Sequence, residues 1–177
     1  YFRCVYRPER TICCIEQERI EMNLYIKQHV FSWGDKFSIY GADGNVCYQV
    51  EGEIFTWGKK LHLLDQAGNE LAFIRQKVMS FLPKYYISRN GEDIAEVVKE
   101  FTFFHPEYTV NGLDWTVKGD IFDHEYGIYA GNQQLASVSK VWLSWGDTYE
   151  LRTAPGVDVV NALAVVLVID ACISTDN

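Results

Sequence analysis

The chain has 177 residues, of which 48% are apolar and 23% are charged, and its formal net charge is −8. These values fit one globular domain and exclude an intrinsically disordered chain. The negative charge disfavours a broad nucleic-acid interface, because it would repel the phosphates. Five cysteines without a C-x-x-C pair argue against a disulfide framework or a zinc site, and they favour a reducing, cytoplasmic setting.

Residues 1–21 differ from the rest of the chain. They contain four arginines and four glutamates, and they lack the apolar run of a secretory signal. The first methionine is Met22, and a strand-like pattern begins directly after it. We therefore expect residues 1–21 to be a leader outside the fold, translated only if synthesis starts upstream of Met22. Residues 22–177 form the predicted domain.

Two kinds of turn signal alternate along this domain. The first opens with an aromatic or apolar residue and leads into a strand, with copies beginning at residues 31, 55, 79, 103, 122 and 143. The second contains Gly or Asn, which tolerate the positive φ of tight hairpins, and lies at 43–44, 67–69, 90–91, 111–112 and 131–132. Turn signals spaced by about 8–12 residues predict about twelve short antiparallel strands.

Between the turns, apolar and polar residues alternate, as in Lys60-Leu61-His62-Leu63. A short motif also recurs after the Gly turns and contains Ala72, Ala95 and Ala136. If these alanines face inward, their small side chains leave room for another element inside the sheet.

The segment Val159–Ile169 is apolar except for Asn161. Its periodicity fits a buried helix or a buried strand, and its length falls short of the ~18 residues of a membrane span. A barrel of a dozen strands is too wide to be filled by its own side chains. We therefore expect a helix from about Pro155 to Ile173 inside it. The predicted fold is mainly β: a closed, about twelve-stranded antiparallel barrel with a central hydrophobic C-terminal α-helix.

Four motifs carry a family resemblance: Ser32–Phe37, Trp57–Leu61, Lys99–Phe104 and Ala162–Val166. Together they resemble the tubby C-terminal-like superfamily, in particular its bacterial and LURP-one-related members, over residues 22–173. The resemblance implies a closed barrel around a hydrophobic helix. It also implies a non-enzymatic binding or scaffold domain rather than a particular ligand.

Tubby proteins bind a phosphoinositide headgroup through a basic motif, which this chain matches in part. Lys27, Lys36 and Tyr40 match the motif, whereas His29 replaces an arginine. The resemblance therefore implies an anionic-ligand site there, weakened by the loss of a bidentate donor. A second basic group follows one or two repeats later, and it is either one patch for an anionic ligand or a set of scattered solvated charges. The candidate ligand-binding residues are Lys27, His29, Lys36, Lys59, Lys60, Arg75 and Lys77.

Other motifs have structural interpretations. Asp123, His124 and Glu125 cannot all ligate one ion, because neighbouring side chains point in alternate directions, so we expect a solvated turn. The two Ser-Trp-Gly-Asp copies, 32–35 and 144–147, are expected to be hairpin turns. No nucleophile elbow, phosphate-binding glycine loop or Cys/His pair is present, so no catalytic residue, metal or cofactor is predicted.

Three functions remain open from the sequence. The first is a cytoplasmic binding or scaffold domain with an unknown protein partner. The second is recognition of an anionic lipid or phosphorylated headgroup at a membrane surface through basic strand residues. The third is an enzyme of unrecognised type. We expect a monomer without a transmembrane span and without a nucleic-acid partner.

The boundary at Met22 can be tested on the native protein. If translation starts at Met22, its intact mass will correspond to residues 22–177. A mass that includes residues 1–21 would contradict this prediction.

Overall fold

The computed structural model describes residues 21–27, 36–53, 56–100, 106–141 and 148–176. His29 and residues 1–20 lie outside these ranges. So do residues 32–35 and 144–147, the two Ser-Trp-Gly-Asp copies.

The described residues form twelve strands in one closed antiparallel barrel. Each strand pairs with its neighbours in the chain, and β1 closes the barrel against β12. The predicted architecture is confirmed. The elements are β1 (Met22–Lys27), β2 (Lys36–Gly41), β3 (Val46–Gly52), β4 (Lys60–Leu64), β5 (Glu70–Gln76), β6 (Lys84–Arg89), β7 (Glu92–Lys99), β8 (Tyr108–Asn111), β9 (Trp115–Asp120), β10 (Glu125–Ala130), β11 (Gln133–Lys140), β12 (Thr148–Thr153) and α1 (Val159–Asp176).

The two ends of the barrel differ. The hairpin end carries the tight Gly and Asn turns; at one of them Asn90 and Gly91 have φ values of 52° and 82°, as a two-residue hairpin turn requires. The opposite end, here called the tip end, carries the β3–β4, β5–β6 and β9–β10 connections. β-Bulges follow Ile39, Leu63 and Ile87, close to the hairpin end, where they increase the local twist.

Helix α1 fills the barrel. Its residues 162–169 are fully buried, and Ala72, Ala95 and Ala136 are buried as well, at 1%, 5% and 2% exposure. Small side chains on the strands therefore make room for the helix, as the sequence pattern predicts. A helix that is apolar on all faces requires such a surrounding.

The helix begins at Val159, four residues later than predicted. Gly156 has a φ of 83°, and the amide of Val157 donates to the carbonyl of Ala154, so this stretch forms a turn. Asp158 then caps the helix, because its Oδ1 accepts the amide of Asn161 at 3.0 Å. No helix in the described ranges meets the length and hydropathy that a membrane crossing needs.

Packing around the helix generates a stability prediction. Leu167 is fully buried, so Leu167→Ala should lower the free energy of unfolding by about 2–5 kcal/mol through lost burial and a residual cavity. Gln133→Ala, at an exposed hairpin position, is the matched control and should change it by less than about 0.5 kcal/mol. Urea unfolding of both variants measures the difference, and equal values would contradict a helix packed inside the barrel.

Candidate functional site

The lysines of the domain are distributed unevenly. All nine lysines of residues 22–177 lie in the half of the barrel nearest the tip end. Several are the terminal residue of their strand at that end, such as Lys27 of β1, Lys84 of β6 and Lys140 of β11. The hairpin half contains two arginines, Arg89 and Arg152, and is rich in carboxylates.

The tip end also carries exposed apolar side chains. Trp57, Met79 and Phe81 are 86%, 98% and 91% exposed, and Val78 is 43% exposed. Exposed apolar residues are ordinary singly, but a contiguous group marks an interaction surface. These four residues, on the β3–β4 and β5–β6 loops, are named the tip patch.

The two loops of the tip patch are joined. The amide of Lys59 donates to Gln76 Oε1 at 2.9 Å, and the amide of Gln76 donates to the carbonyl of Lys59 at 2.8 Å. Gly58 has a φ of 82°, and a Cβ at this position would lie 3.1 Å from Val78 Cγ2. The glycine thus allows the two loops to pack closely, so the four exposed apolar side chains lie on adjoining loops at one end of the barrel.

Met79 adopts an unfavourable backbone conformation. Its φ is 63°, in the left-handed region that L-residues with side chains avoid. Such a conformation costs on the order of 1 kcal/mol, and strained residues are frequent at functional sites. Because the side chain is almost fully exposed, no packing inside the barrel offsets this cost.

Three of the sequence-predicted basic residues come together beside the tip patch. Lys60 and Arg75 are cross-strand partners on the outer face of β4 and β5. The Arg75 guanidinium lies 4.3 Å and the Lys77 ammonium 5.9 Å from the centre of the Tyr86 ring. Tyr86 therefore gathers two cations on the outer wall of the barrel.

Most of these cations have carboxylate partners. Lys60 lies 3.0 Å from Glu53, Arg75 2.5 Å from Asp93 and Lys36 2.7 Å from Glu51. The hydrogen bond from Lys60 holds the pKa of the Glu53 carboxyl below its usual range, with a smaller contribution from His62. Exposed ion pairs of this kind contribute only about 0–1 kcal/mol, so another anion can compete for the cations.

Lys27 and Lys77 have no carboxylate within 4.0 Å among the described residues. The Lys27 ammonium lies 5.7 Å from the centre of the Tyr40 ring, on β1 and β2. Lys36, also on β2, is paired with Glu51. Within the described ranges, no hydrogen bond or ion pair joins the resemblance-based pair Lys27 and Lys36 to the cluster of Lys60, Arg75 and Lys77.

Lys59 differs from its neighbour Lys60. Its ammonium turns inward and donates to the carbonyl of Ala171 at 2.8 Å and to Ser174 Oγ at 2.5 Å, at the end of α1. An ammonium near a helix C-terminus interacts favourably with the helix dipole. Lys59 is thus engaged with the helix rather than displayed with the outer cations.

The prediction that residues 123–125 form a solvated turn is wrong for His124. Its side chain is buried, and its Nε2 lies 3.2 Å from Asp170 Oδ1 of the helix. The ring also stacks on Tyr149 with 4.5 Å between centroids. The missed signal was Asp170 itself, a charged residue between Ile169 and Ala171, which needs a polar partner when buried.

Asp170 has a second partner in the barrel wall. The hydroxyl of Tyr149 donates to its Oδ2, and the nearby hydroxyl of Tyr126 is buried without a hydrogen-bond partner among the described residues. Burial, followed by the charge of Asp170, raises the pKa of both tyrosines well above the usual range. Both hydroxyls therefore stay protonated in the folded protein at neutral pH.

A concavity lies at the hairpin end. It has a volume of about 870 Å³ and is lined in part by Met22, Tyr48, Leu71 and Arg89. The Arg89 guanidinium is already engaged, through Nη1, by Asp158 at 2.6 Å and Asn161 at 3.0 Å. Burial raises the pKa of Tyr48 to about 12. No group of three His, Cys, Asp or Glu side chains suited to a metal ion occurs in the described ranges.

A closed antiparallel barrel around one apolar helix is a fold of the tubby-like type. The chain belongs to the LURP-one-related family, whose model matches residues 22–170. The family resemblance predicted from the sequence motifs is confirmed.

Individual relatives agree with this assignment. The chain is 40% identical over 156 residues to the uncharacterized protein YxjI of Bacillus subtilis, covering 88% of this chain and 96% of that protein. It is 22% identical over 170 residues to protein LURP-one-related 14 of Arabidopsis thaliana, covering 84% and 83%. The X-ray structure of an Arabidopsis thaliana protein matches with a TM-score of 0.61 and 19% identity, covering 85% of this chain and 90% of that one, which shows the shared fold.

The buried tyrosines generate a pH prediction. In the unfolded chain they ionise near pH 10, but in the folded protein their pKa is raised, so stability should fall as the pH rises above about 10. Tyr149→Phe should make this decline shallower, yet cost about 1–3 kcal/mol at pH 7 because Asp170 loses a donor. Urea unfolding at pH 7 and across alkaline pH measures both effects.

Tyr129→Phe is the control, because it makes the same chemical change at a partly exposed ring on β10. It should leave both the stability at pH 7 and the alkaline decline close to wild type. An unchanged alkaline slope in Tyr149→Phe would contradict the inferred burial of its hydroxyl.

Proposed function

We propose that this domain is a non-enzymatic binding domain that docks on an anionic lipid membrane through the tip patch and the lysines around it. The observation that carries the proposal is the shared location of two groups of residues. The exposed apolar side chains of the patch and the lysines of the fold are found at the same end of the barrel.

The lysines favour one side of the tip end. Seven of the nine belong to β1–β7 and their connections, the side that carries the tip patch. The opposite side, around the β9–β10 turn, has Asp120, Asp123 and Glu125. The first side also carries Glu51 and Glu53, but its seven lysines and Arg75 outnumber its carboxylates. An anionic surface would therefore attract it more strongly than the second side, and the docked barrel is tilted toward its β3–β6 edge.

The residue types suit a lipid interface. Trp prefers the headgroup level, and apolar loop residues gain free energy when they enter the acyl boundary. Each lysine close to an anionic membrane adds about 1 kcal/mol. The carboxylates of the hairpin end do not oppose this, because a six-residue strand holds them roughly 20 Å away, beyond the ~8 Å screening length at physiological ionic strength.

The tip patch supports a lipid partner more strongly than a soluble phosphorylated ligand. The outer cluster of Lys60, Arg75 and Lys77 could contribute to headgroup recognition, but two of its three cations already have carboxylate partners. A soluble headgroup would gain nothing from Trp57 or Met79. A membrane would use both the cations and the apolar side chains.

Vesicle binding tests the proposal. Wild-type protein should sediment with vesicles of phosphatidylcholine and phosphatidylglycerol at low salt, bind less at high salt and leave pure phosphatidylcholine vesicles free. Lys77→Gln should weaken binding about fivefold, the equivalent of ~1 kcal/mol. Arg152→Gln removes the same charge on the hairpin half of β12 and should have little effect.

Met79→Gly separates binding from folding. Glycine adopts a φ of 63° without strain, so the variant should be at least as stable as wild type while losing vesicle affinity with the apolar side chain. If wild-type protein does not bind the anionic vesicles at low salt, the docking proposal is wrong. If the double variant Met79→Gly/Phe81→Ser binds vesicles as strongly as wild type, the tip patch takes no part in docking.

A further inference from the structure

The end of the central helix is held from two sides of the barrel. On one side, Lys59 from the β3–β4 loop reaches the carbonyl of Ala171 and the hydroxyl of Ser174. On the other side, His124 and Tyr149 both engage Asp170. Wall groups therefore grip polar atoms of the last two helical turns, just beneath the tip end.

The Lys59 contact leads directly to the tip patch. Lys59 follows Gly58 and Trp57 in the same loop, so the ammonium that binds the helix is two residues from the exposed indole. The main chain of Lys59 is also paired in both directions with Gln76. Gln76 precedes the β5–β6 loop, which carries the other three apolar residues of the patch.

The β3–β4 loop is closed across its base, because the amide of Glu53 donates to the carbonyl of Lys60 at 3.1 Å. Thr56 Oγ1 donates to the carbonyl of Gly58 at 2.9 Å, which closes the turn locally. Trp57 itself is 86% exposed and contributes little packing. Those two hydrogen bonds stay within the loop, whereas the bond from Lys59 to the helix end ties the loop to α1.

We propose that Lys59 is a positioning residue: its bond to the C-terminal end of α1 sets the arrangement of the two loops that form the tip patch. This inference rests on the proposed docking function. It concerns how firmly the two loops are held, which hydrogen exchange measures without lipid. In this view the helix fills the barrel and also serves as the base on which the docking surface is built.

The competing interpretation is that Lys59 only stabilises the fold. Arg89 provides the comparison, because it grips the opposite end of the same helix through Asp158 and Asn161. If the Lys59 contact only stabilises the fold, loss of Lys59 and loss of Arg89 should lower the free energy of unfolding by similar amounts. Neither loss should then change the tip patch. If Lys59 positions the patch, only its loss should disturb the loops.

Two variants remove the Lys59 contact by different routes. Lys59→Met removes the ammonium but keeps an apolar stem, whereas Ser174→Ala removes one acceptor on the helix and leaves the net charge unchanged. Ser174→Ala therefore separates positioning from simple loss of a lysine. It is also a mild change that tests the inference if Lys59→Met does not fold.

Hydrogen exchange is the first measurement. In both variants the amides of Lys59 and Gln76 should exchange faster, on the order of tenfold in Lys59→Met, while the hairpin turns at 90–91 and 131–132 remain unchanged. Arg89→Gln should leave Lys59 and Gln76 protected as in wild type. Unchanged exchange at Lys59 and Gln76 in both Lys59→Met and Ser174→Ala would overturn the inference.

Affinity for phosphatidylcholine and phosphatidylglycerol vesicles is the second measurement. Ser174→Ala should bind more weakly than wild type and Arg89→Gln should bind equally well, with stability measured in parallel. Wild-type affinity in Ser174→Ala despite faster loop exchange would overturn the link between loop order and docking. If wild-type protein binds no vesicles, the docking proposal fails, and exchange alone then decides whether Lys59 positions the loops.

Discussion

The mutual burial of α1 and the barrel is the constraint on which the other features depend. A twelve-stranded barrel needs an internal element to exclude a void, and a helix without a polar face needs to be covered on every side. Each element buries the apolar surface of the other. The inward alanines of β5, β7 and β11 are a consequence, because the helix occupies the space that larger side chains would fill.

This arrangement determines where polar chemistry can occur. The interior is apolar, so the polar groups of the helix termini must find partners at the two mouths of the barrel. At the hairpin end Asp158 and Arg89 satisfy the first turn; at the tip end Lys59 and the pair of His124 and Asp170 hold the last turns. Tight turns join the strands at the hairpin end, whereas the longer loops of the tip end have room to carry exposed side chains such as those of the tip patch.

The spacing of turn signals and the apolar tail were sufficient to predict the barrel and its helix, because both follow from local chemistry. The site was harder to predict. Nothing local distinguishes Lys59, which points to the helix, from Lys60, which faces outward, and His124 is buried by a partner 46 residues away. Met79 and Phe81 occupy an aromatic turn motif, so their exposure became evident only in three dimensions.

Met79 shows why the tip patch is better explained by binding than by folding. Its left-handed backbone would suit glycine, and its side chain contacts water rather than the core. An exposed methionine at a strained position lowers stability and solubility of the isolated domain at once. Neighbouring Phe81 and Trp57 add further unburied apolar area. In the proposed docking, a membrane that covers these side chains offsets that cost, and its anionic headgroups match the lysines of the same end.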